Sequence, residues 1–236
     1  MTVEIPINLA YEDDLCLEVL LRLLQSPPLL SSEKRFCVGK KLSGRGYGYL
    51  KRNIFGFNDA SKGMPYLILT DLDTRECAPL MIREWLPVAR NHNLIFRIAV
   101  REVESWLLAD RFGFAKFLGI ARDKLPKNPD DLSDPKAHLI NLARISRKRD
   151  LREDILPRIR STAKQGPAYN ERLVSFVIPI PDPHPKSPII MGSKLSLECG
   201  TTACVTKNTL QRPTTTAKLM SLARQGMPWS EIIALF

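Results

Sequence analysis

Apolar residues along the first half of the chain alternate between continuous runs and helical spacing. Continuous runs, typical of buried strands, occupy residues 3–9, 35–38, 66–70 and 94–100. Between them, apolar residues recur at helical spacing at 15–24 and 78–90, which predicts two amphipathic helices, the first ended by Pro27 and Pro28. Strands that alternate with helices predict an α/β fold, in which a mostly parallel sheet carries helices on both faces.

The second half of the chain is predicted to be helical and then to change character. Helices are predicted at residues 112–120, 135–146, 151–161 and 168–177. Asp110 is a candidate cap for the first of these, and Pro135 suits the first turn of the second. Prolines with Ser and Thr then predict a loosely ordered, extended segment at 178–213, followed by a helical tail at 214–236. We therefore predict one α/β domain at 1–177 with two C-terminal segments.

A glycine-rich, basic stretch follows the second predicted strand. Residues 39–48 read GKKLSGRGYG, and the stretch is predicted to be a flexible loop with accessible backbone N–H groups. Its cations Lys40, Lys41 and Arg45 make it a candidate phosphate contact, although it matches neither phosphate-binding glycine motif. A plain flexible connection explains the same residues equally well.

Composition narrows the class of protein. The chain has 236 residues, of which 44% are hydrophobic, so we expect a real core rather than global disorder. It has neither an apolar run of membrane-spanning length nor the pattern of a secretory signal. Its five cysteines are scattered without a CxxC pair, which favours the reducing cytoplasm over a disulfide framework or a zinc site.

Charge suggests a polyanionic partner. The net charge is +10, and such an excess favours nucleic acid through phosphate neutralisation and counterion release. Basic residues concentrate at 141–164, where Arg147, Lys148 and Arg149 are the candidate nucleic-acid contacts. The alternative interpretation is a solvated helix face, which accounts for many isolated basic runs.

Acidic residues follow three of the predicted strands. They are Glu12 after the first, Asp71 and Asp73 after the third, and Glu102 and Glu104 after the fourth. Sites in open parallel sheets form at the carboxyl ends of the strands, so these side chains are expected to converge. Converging carboxylates repel one another, and a hard cation such as Mg²⁺ or Mn²⁺ removes that cost. The sequence therefore predicts a divalent-metal site.

Other interpretations of the same acids remain open. An Asp-x-Asp pair such as Asp71 and Asp73 is common in turns and caps. Glu102 or Glu104 is an alternative ion-pair partner of Arg97 or Arg101. Three separate strand ends that each deliver an acid are harder to explain structurally, and we therefore favour the metal site.

The same residues carry a family resemblance. A glutamate after the first strand and a later apolar strand ending in DxD resemble the Toprim domain of topoisomerases, primases and overcoming-lysogenisation-defect (OLD) nucleases. The runs LTDLD at 69–73, IAVREVESWLLAD at 98–110 and DPK at 134–136 resemble more closely a Toprim-like family of unknown function, often encoded near ATPases in prokaryotic defence loci. The resemblance covers roughly residues 1–177.

The resemblance implies roles for individual residues. It implies catalytic roles for Glu12 and Lys136, and metal-ligand roles for Asp71, Asp73, Glu104 and Glu102. Lys136 would offset negative charge at the scissile phosphate, although an exposed charge at a helix start is an equal alternative. The family's glutamate is usually followed by glycine, whereas Asp13 stands at that position here.

Together these observations predict a metal-dependent nuclease that cleaves phosphodiester bonds, with DNA favoured over RNA. By resemblance, an ATPase subunit is a candidate partner in phage defence, and oligomerisation is left open. The first alternative is a non-catalytic module that binds nucleic acid or protein on a Toprim scaffold, since a fold does not fix a function. The second alternative is a phosphatase or nucleotide hydrolase that uses the same carboxylates.

Overall fold

The computed structural model describes residues 3–25, 34–44 and 46–178. The elements in chain order are β1 (Val3–Tyr11), α1 (Asp14–Leu24), β2 (Lys34–Leu42), α2 (Tyr47–Ala60), β3 (Tyr66–Asp71), α3 (Ala78–Trp85), β4 (Leu94–Ala99), α4 (Glu104–Ala109), α5 (Arg111–Leu118), α6 (Pro135–Arg144), α7 (Arg149–Ile155) and α8 (Tyr169–Val177). Two 3₁₀ turns, Arg122–Lys124 and Pro129–Asp131, lie between α5 and α6. The predicted Pro-rich segment and helical tail lie beyond the described residues.

The four strands form one parallel sheet in the order β2-β1-β3-β4. This confirms the predicted α/β fold with a parallel sheet flanked by helices. Strand β2 lies on one side of β1, whereas β3 and β4 lie on its other side. The direction in which strands are added therefore reverses between β1 and β3. In open parallel sheets, such a reversal opens a crevice at the carboxyl ends of the two strands.

The two faces of the sheet carry separate hydrophobic clusters. Successive strand residues point to opposite faces, so Leu67 and Leu69 belong to one cluster while Tyr66 and Ile68 belong to the other. The first cluster includes residues of α1 and α4–α8, and we call this side of the sheet the broad face. The second includes residues of α2 and α3, and we call it the narrow face. Right-handed crossovers place α1 opposite α2 and α3, because the direction of travel across the sheet reverses.

The prediction of a flexible loop at residues 39–48 is wrong at both ends. Strand β2 continues to Leu42, and α2 begins at Tyr47. Gly39 fits inside the strand because its missing Cβ leaves room for Asn8, whose Oδ1 accepts the backbone N–H of Lys40 at 2.8 Å. The sequence contained a helical signal, since Leu50, Ile54 and Phe57 recur at helical spacing and are buried.

The other predicted elements are present with shifted ends, whereas α4 was not predicted. Helix α3 stops at Trp85 instead of residue 90 because Pro87 forces the residue before it out of the helical region. Asp110 caps α5 as predicted, since its Oδ1 accepts the backbone N–H of Gly113 at 2.9 Å. Pro135 occupies the first turn of α6, also as predicted. No helix in the described part of the chain is long and apolar enough to cross a membrane.

Candidate metal and phosphodiester site

The predicted acids meet at the carboxyl end of the sheet. Glu12 directly follows β1, Asp71 ends β3, and Glu102 and Glu104 follow β4. Because β1, β3 and β4 are neighbours in the sheet, their ends lie side by side at the reversal of strand order. We use the name acidic edge for the set formed by these strand ends and the lysine beside them: Glu12, Asp71, Asp73, Glu102, Glu104 and Lys136.

Glu12 is held against the end of β3. Its Oε2 accepts the hydroxyl of Thr70 at 2.8 Å, and the backbone N–H of Asp71 approaches the same oxygen at 3.5 Å. Burial raises the pKa of Glu12 although these two hydrogen bonds lower it, and the charges of Asp73 and Asp13 add to the rise. Thr70 is fully buried and was missed at the sequence level, where its polar side chain inside an apolar strand was the available signal.

Asp71 ends β3 and is tied to the start of α4. Its Oδ1 accepts the backbone N–H of Val103 at 2.9 Å, which ties the end of β3 to the start of α4. Burial, followed by the charges of Glu104 and Glu12, raises the pKa of Asp71 well above its ordinary value, and Lys136 only partly opposes this. Asp71 therefore lies where a further positive charge would be most favourable.

Asp73 stands on a tight turn beyond β3. Its backbone φ is +52° and that of Arg101 is +25°, a region that side chains rarely adopt. The two residues face each other, because the N–H of Asp73 donates to the carbonyl of Arg101 at 2.8 Å. The Arg101 guanidinium also donates to the carbonyls of Asp73 and Arg75, at 3.2 and 2.8 Å. Strained backbone of this kind concentrates at functional sites because surrounding contacts must hold it in place.

Lys136 lies between the two glutamates that follow β4. Its Nζ is 3.5 Å from Glu104 Oε1 and 3.9 Å from Glu102 Oε1, and its backbone N–H donates to Glu102 Oε2 at 2.8 Å. Burial opposes the charged form of Lys136, but the charges of Glu104 and Glu102 outweigh it and raise its pKa. Lys136 therefore stands in the first turn of α6 and also pairs with two of the candidate acids.

Glu104 is almost completely buried, with 2% of its surface exposed. Burial raises its pKa although Lys136 lowers it. Its Oε1 also accepts the hydroxyl of Tyr169 at 3.0 Å, whereas its Oε2 is buried without a hydrogen-bond partner. A buried acceptor without a partner is costly, and such groups in folded proteins call for an explanation such as a bound ion. Tyr169 was missed at the sequence level, because it lies 65 residues from its partner.

The end of β1 is supported from two sides. Asp13 caps α1 by accepting the N–H of Cys16 at 2.9 Å, and it also accepts the side-chain amide of Asn170 at 3.2 Å. The backbone of Asp13 is extended, with φ −145°, so the position does not need the glycine usual in the Toprim family. On the other side, the carbonyl of Glu12 accepts the N–H of Gly46 at 3.0 Å.

The donor set suits a hard cation, but its side chains do not form a ready coordination shell. Five carboxylates belong to the acidic edge against one lysine, and all candidate donors are oxygens. Within the described ranges, however, no group of three or more His, Cys, Asp or Glu side chains is arranged to hold a metal ion. Hydrogen bonds from Thr70, Val103 and Lys136 occupy several carboxylate oxygens instead.

The predicted basic contacts are divided between two places. Lys40 and Lys41 lie near the carboxyl end of β2, on the same edge of the sheet as Glu12, and both are exposed. The second group, Arg147 to Arg149, lies beyond the far end of α6 from Lys136, about 15 Å along a helix of that length. The structure therefore does not bring this second group to the acidic edge.

Two residues of the second group have structural contacts. The Nζ of Lys148 donates to the carbonyl of Phe117 at 2.8 Å and so caps the end of α5. Arg149 pairs with Glu153 one helical turn away, at 2.7 Å. Arg147 is exposed, and Arg45 of the first basic group lies outside the described residues.

Comparison with known proteins adds no assignment to this geometry. The chain matched none of the protein-family models, none of the curated proteins and none of the solved structures with which it was compared.

Proposed function

We propose that the acidic edge binds Mg²⁺ or Mn²⁺ and that the chain cleaves phosphodiester bonds of nucleic acid, as a Toprim-like nuclease. The observation that carries the proposal is the charge imbalance at the reversal of strand order. There, Lys136 pairs with Glu102 and Glu104 but with none of the other three carboxylates, and a buried oxygen of Glu104 has no hydrogen-bond partner. The resemblance of residues 1–177 to Toprim-like proteins supports the same reading.

A preformed shell of three carboxylates is not required for this ion. Mg²⁺ is commonly held by one or two carboxylates together with waters and substrate phosphates. Asp71 and Asp73 are the proposed ligands, and the unpartnered oxygen of Glu104 is a third donor. A bound divalent ion supplies charge neutralisation and polarisation of a phosphoryl oxygen.

The protein's own residues supply the remaining chemistry. Lys136 offsets the negative charge that develops on the phosphoryl oxygens, since it is held in place by Glu102 and Glu104. Glu12 is the proposed proton acceptor or donor at the attacking or departing oxygen, because its raised pKa suits proton exchange near neutral pH better than an ordinary carboxylate. Lys40 and Lys41 are proposed to contact the nucleic-acid backbone on the same edge of the sheet. DNA is the favoured substrate, and an ATPase partner in phage defence remains part of the proposal through the resemblance alone.

One observation favours a second candidate function. Lys136 already pairs with both glutamates, and the described side chains form no ready metal shell. A non-catalytic module needs no metal ion, so ion pairs between Lys136 and the two glutamates would satisfy its acidic edge. The net charge of +10 would then suffice for binding to nucleic acid.

The deciding experiment measures Mn²⁺- and Mg²⁺-dependent cleavage of supercoiled plasmid and single-stranded DNA. We expect Asp71→Asn, which keeps the shape of the side chain and removes its charge, to lower the cleavage rate by about 100-fold or more. The matched control is Asp59→Asn, an exposed aspartate on α2 that pairs with Lys62. It should cleave like the wild type.

Three results distinguish the two functions. Metal-dependent cleavage that is lost only in Asp71→Asn supports the nuclease. DNA binding that weakens steeply with salt, is equal in both variants and is not accompanied by cleavage supports the binding module. Cleavage that persists unchanged in a folded Asp71→Asn protein rules out the proposed site.

A further inference from the structure

Helix α8 carries none of the acids of the acidic edge, but its first two residues contact the segments that do. Its first residue, Tyr169, donates its hydroxyl to Glu104 Oε1 at 3.0 Å. Its second residue, Asn170, donates its amide to Asp13 Oδ2 at 3.2 Å, next to Glu12 in the chain. One turn of α8 therefore holds both the segment that follows β4 and the segment that follows β1.

The contact between Tyr169 and Glu104 determines which glutamate oxygen remains without a partner. Glu104 Oε1 accepts the tyrosine hydroxyl and lies 3.5 Å from Lys136 Nζ, whereas Oε2 has no hydrogen-bond partner. Tyr169 and Glu104 are 1% and 2% exposed, and close packing therefore restricts both side chains to few rotamers. The hydroxyl thus orients the carboxylate and leaves Oε2 as the donor.

Packing alone does not explain a tyrosine at this position. Phenylalanine would fill nearly the same space without a polar atom to satisfy, and burying a hydroxyl is unfavourable unless it is hydrogen-bonded. Here the hydroxyl is directed at the one carboxylate of the acidic edge that is almost completely buried. A hydrogen bond of this kind is typical of residues that orient a metal ligand without contacting the metal themselves.

We propose that Tyr169 is a positioning residue that orients Glu104 for the divalent ion, so that α8 belongs to the metal-binding machinery of the chain. This inference rests on the proposed function and deepens it, because it assigns a role to a helix that carries none of the acids. Loss of a residue that orients a metal ligand typically lowers metal affinity by about 10- to 100-fold.

The first measurement is Mn²⁺ affinity of the 236-residue chain, from the electron paramagnetic resonance signal of free Mn²⁺. We expect Tyr169→Phe to weaken Mn²⁺ binding about tenfold, measured at a temperature at which the variant is fully folded. The matched control is Tyr66→Phe, which removes the hydroxyl of another buried tyrosine, one that stacks on Phe57 in the narrow-face cluster. Its Mn²⁺ affinity should equal that of the wild type.

The second measurement needs no metal. The unfolding free energies of Tyr169→Phe, Glu104→Met and the double variant form a cycle that reports whether the two side chains interact, because methionine cannot accept the tyrosine hydroxyl as the carboxylate does. We expect the two single changes to be clearly non-additive. Additive changes would show that the hydroxyl does not orient Glu104, and would overturn the inference whatever the metal result.

The two measurements separate the inference from the proposed function. If the wild type binds Mn²⁺ and Tyr169→Phe binds it equally well, positioning by Tyr169 is wrong while the metal site stands. If the cycle shows an interaction but the wild type binds no Mn²⁺, the metal site is wrong, and with it the role of Tyr169 toward an ion. Weakened binding together with a non-additive cycle supports both.

Discussion

The two faces of the sheet support the acidic edge in different ways. On the broad face, α4, α6 and α8 bring side chains to the carboxylates, among them Lys136 and Tyr169. The narrow face meets the edge at Glu12, where Gly46 donates a backbone N–H to its carbonyl. Both faces have a buried hydrophobic cluster, yet the broad face supplies most of the side chains that contact the carboxylates. Burial of a face and its contribution to the acidic edge are therefore separate properties.

Successive residues of β3 show the same division. Thr70 donates its hydroxyl to Glu12, whereas the next residue, Asp71, accepts the N–H of Val103 at the start of α4. Alternation along a strand sends these two side chains in opposite directions. Thr70 thus links the narrow face to Glu12, whereas Asp71 links the broad face to α4. We therefore expect changes in the broad-face core to disturb metal binding as well as stability, and changes in the narrow-face core to leave metal binding unchanged.

The largest expected effect comes from matched core truncations on the two faces. Leu69→Ala on the broad face and Ile68→Ala on the narrow face each remove a side chain that is 0% exposed. Each should lower the free energy of unfolding by about 3 kcal/mol, through lost burial and the cavity left behind. Only Leu69→Ala should also weaken Mn²⁺ binding, measured at a temperature at which both variants are folded. Equal Mn²⁺ affinities would contradict the comparison.

Removal of the lysine tests the broad face at the site itself. Lys136→Met keeps the length of the side chain but leaves Glu102 and Glu104 without their cation. We expect the free energy of unfolding to fall by about 2–3 kcal/mol, as measured by denaturant titration. The control is Lys62→Met, which breaks an exposed pair with Asp59 and should cost less than about 0.5 kcal/mol. Comparable losses in the two variants would argue against a special role for Lys136.

The pH dependence of stability should follow the raised pKa values of the carboxylates. For Asp71 and Glu104 the folded-state pKa lies above the unfolded one. In the window that starts near the ordinary carboxyl pKa, about 4, and ends at the folded-state pKa, the folded protein therefore holds protons that the unfolded chain has released. Stability consequently falls as pH rises through this window. The raised pKa of Lys136 affects stability only at high pH, since its contribution is complete below the unfolded lysine value.

We therefore expect a metal-free protein to melt at a higher temperature at pH 5.5 than at pH 7.5, by scanning calorimetry. Asp71→Asn, which cannot ionise, should flatten this dependence, and added Mn²⁺ should raise the melting temperature more at pH 7.5. A melting temperature that rises with pH across this range would be inconsistent with the charge distribution of the acidic edge.

The smallest expected effect concerns the basic group beyond α6. Lys148→Ala removes the cation that caps α5 and should cost about 0.5–1 kcal/mol, whereas Arg147→Ala should change stability by less than about 0.5 kcal/mol. The predicted nucleic-acid contact is tested with the same variants. Loss of one phosphate contact should lower the slope of the logarithm of DNA affinity against that of salt concentration by about 0.9. An unchanged slope in both variants would exclude this contact.

The sequence alone determined the strands and the acids at their ends. A continuous apolar run such as 66–70 is a strong local signal for a strand, and the acids that follow three of the four runs are equally local. The cap at Asp110 was equally predictable, since it accepts a backbone N–H only three residues away. Helix α2 was not found because its neighbouring glycines outweighed an apolar pattern that was present.

Only the tertiary structure decided the strand order and the partners of the acids. The order β2-β1-β3-β4 puts Glu12 beside Thr70, 58 residues along the chain. Helix packing on the broad face then brings Lys136 and Tyr169 to Glu104, across 32 and 65 residues. Such pairings leave no local periodicity, because they depend on how whole elements pack rather than on neighbouring residues. For this reason the acids and helix α8 could be predicted from the sequence, whereas the contact between Tyr169 of that helix and Glu104 could not.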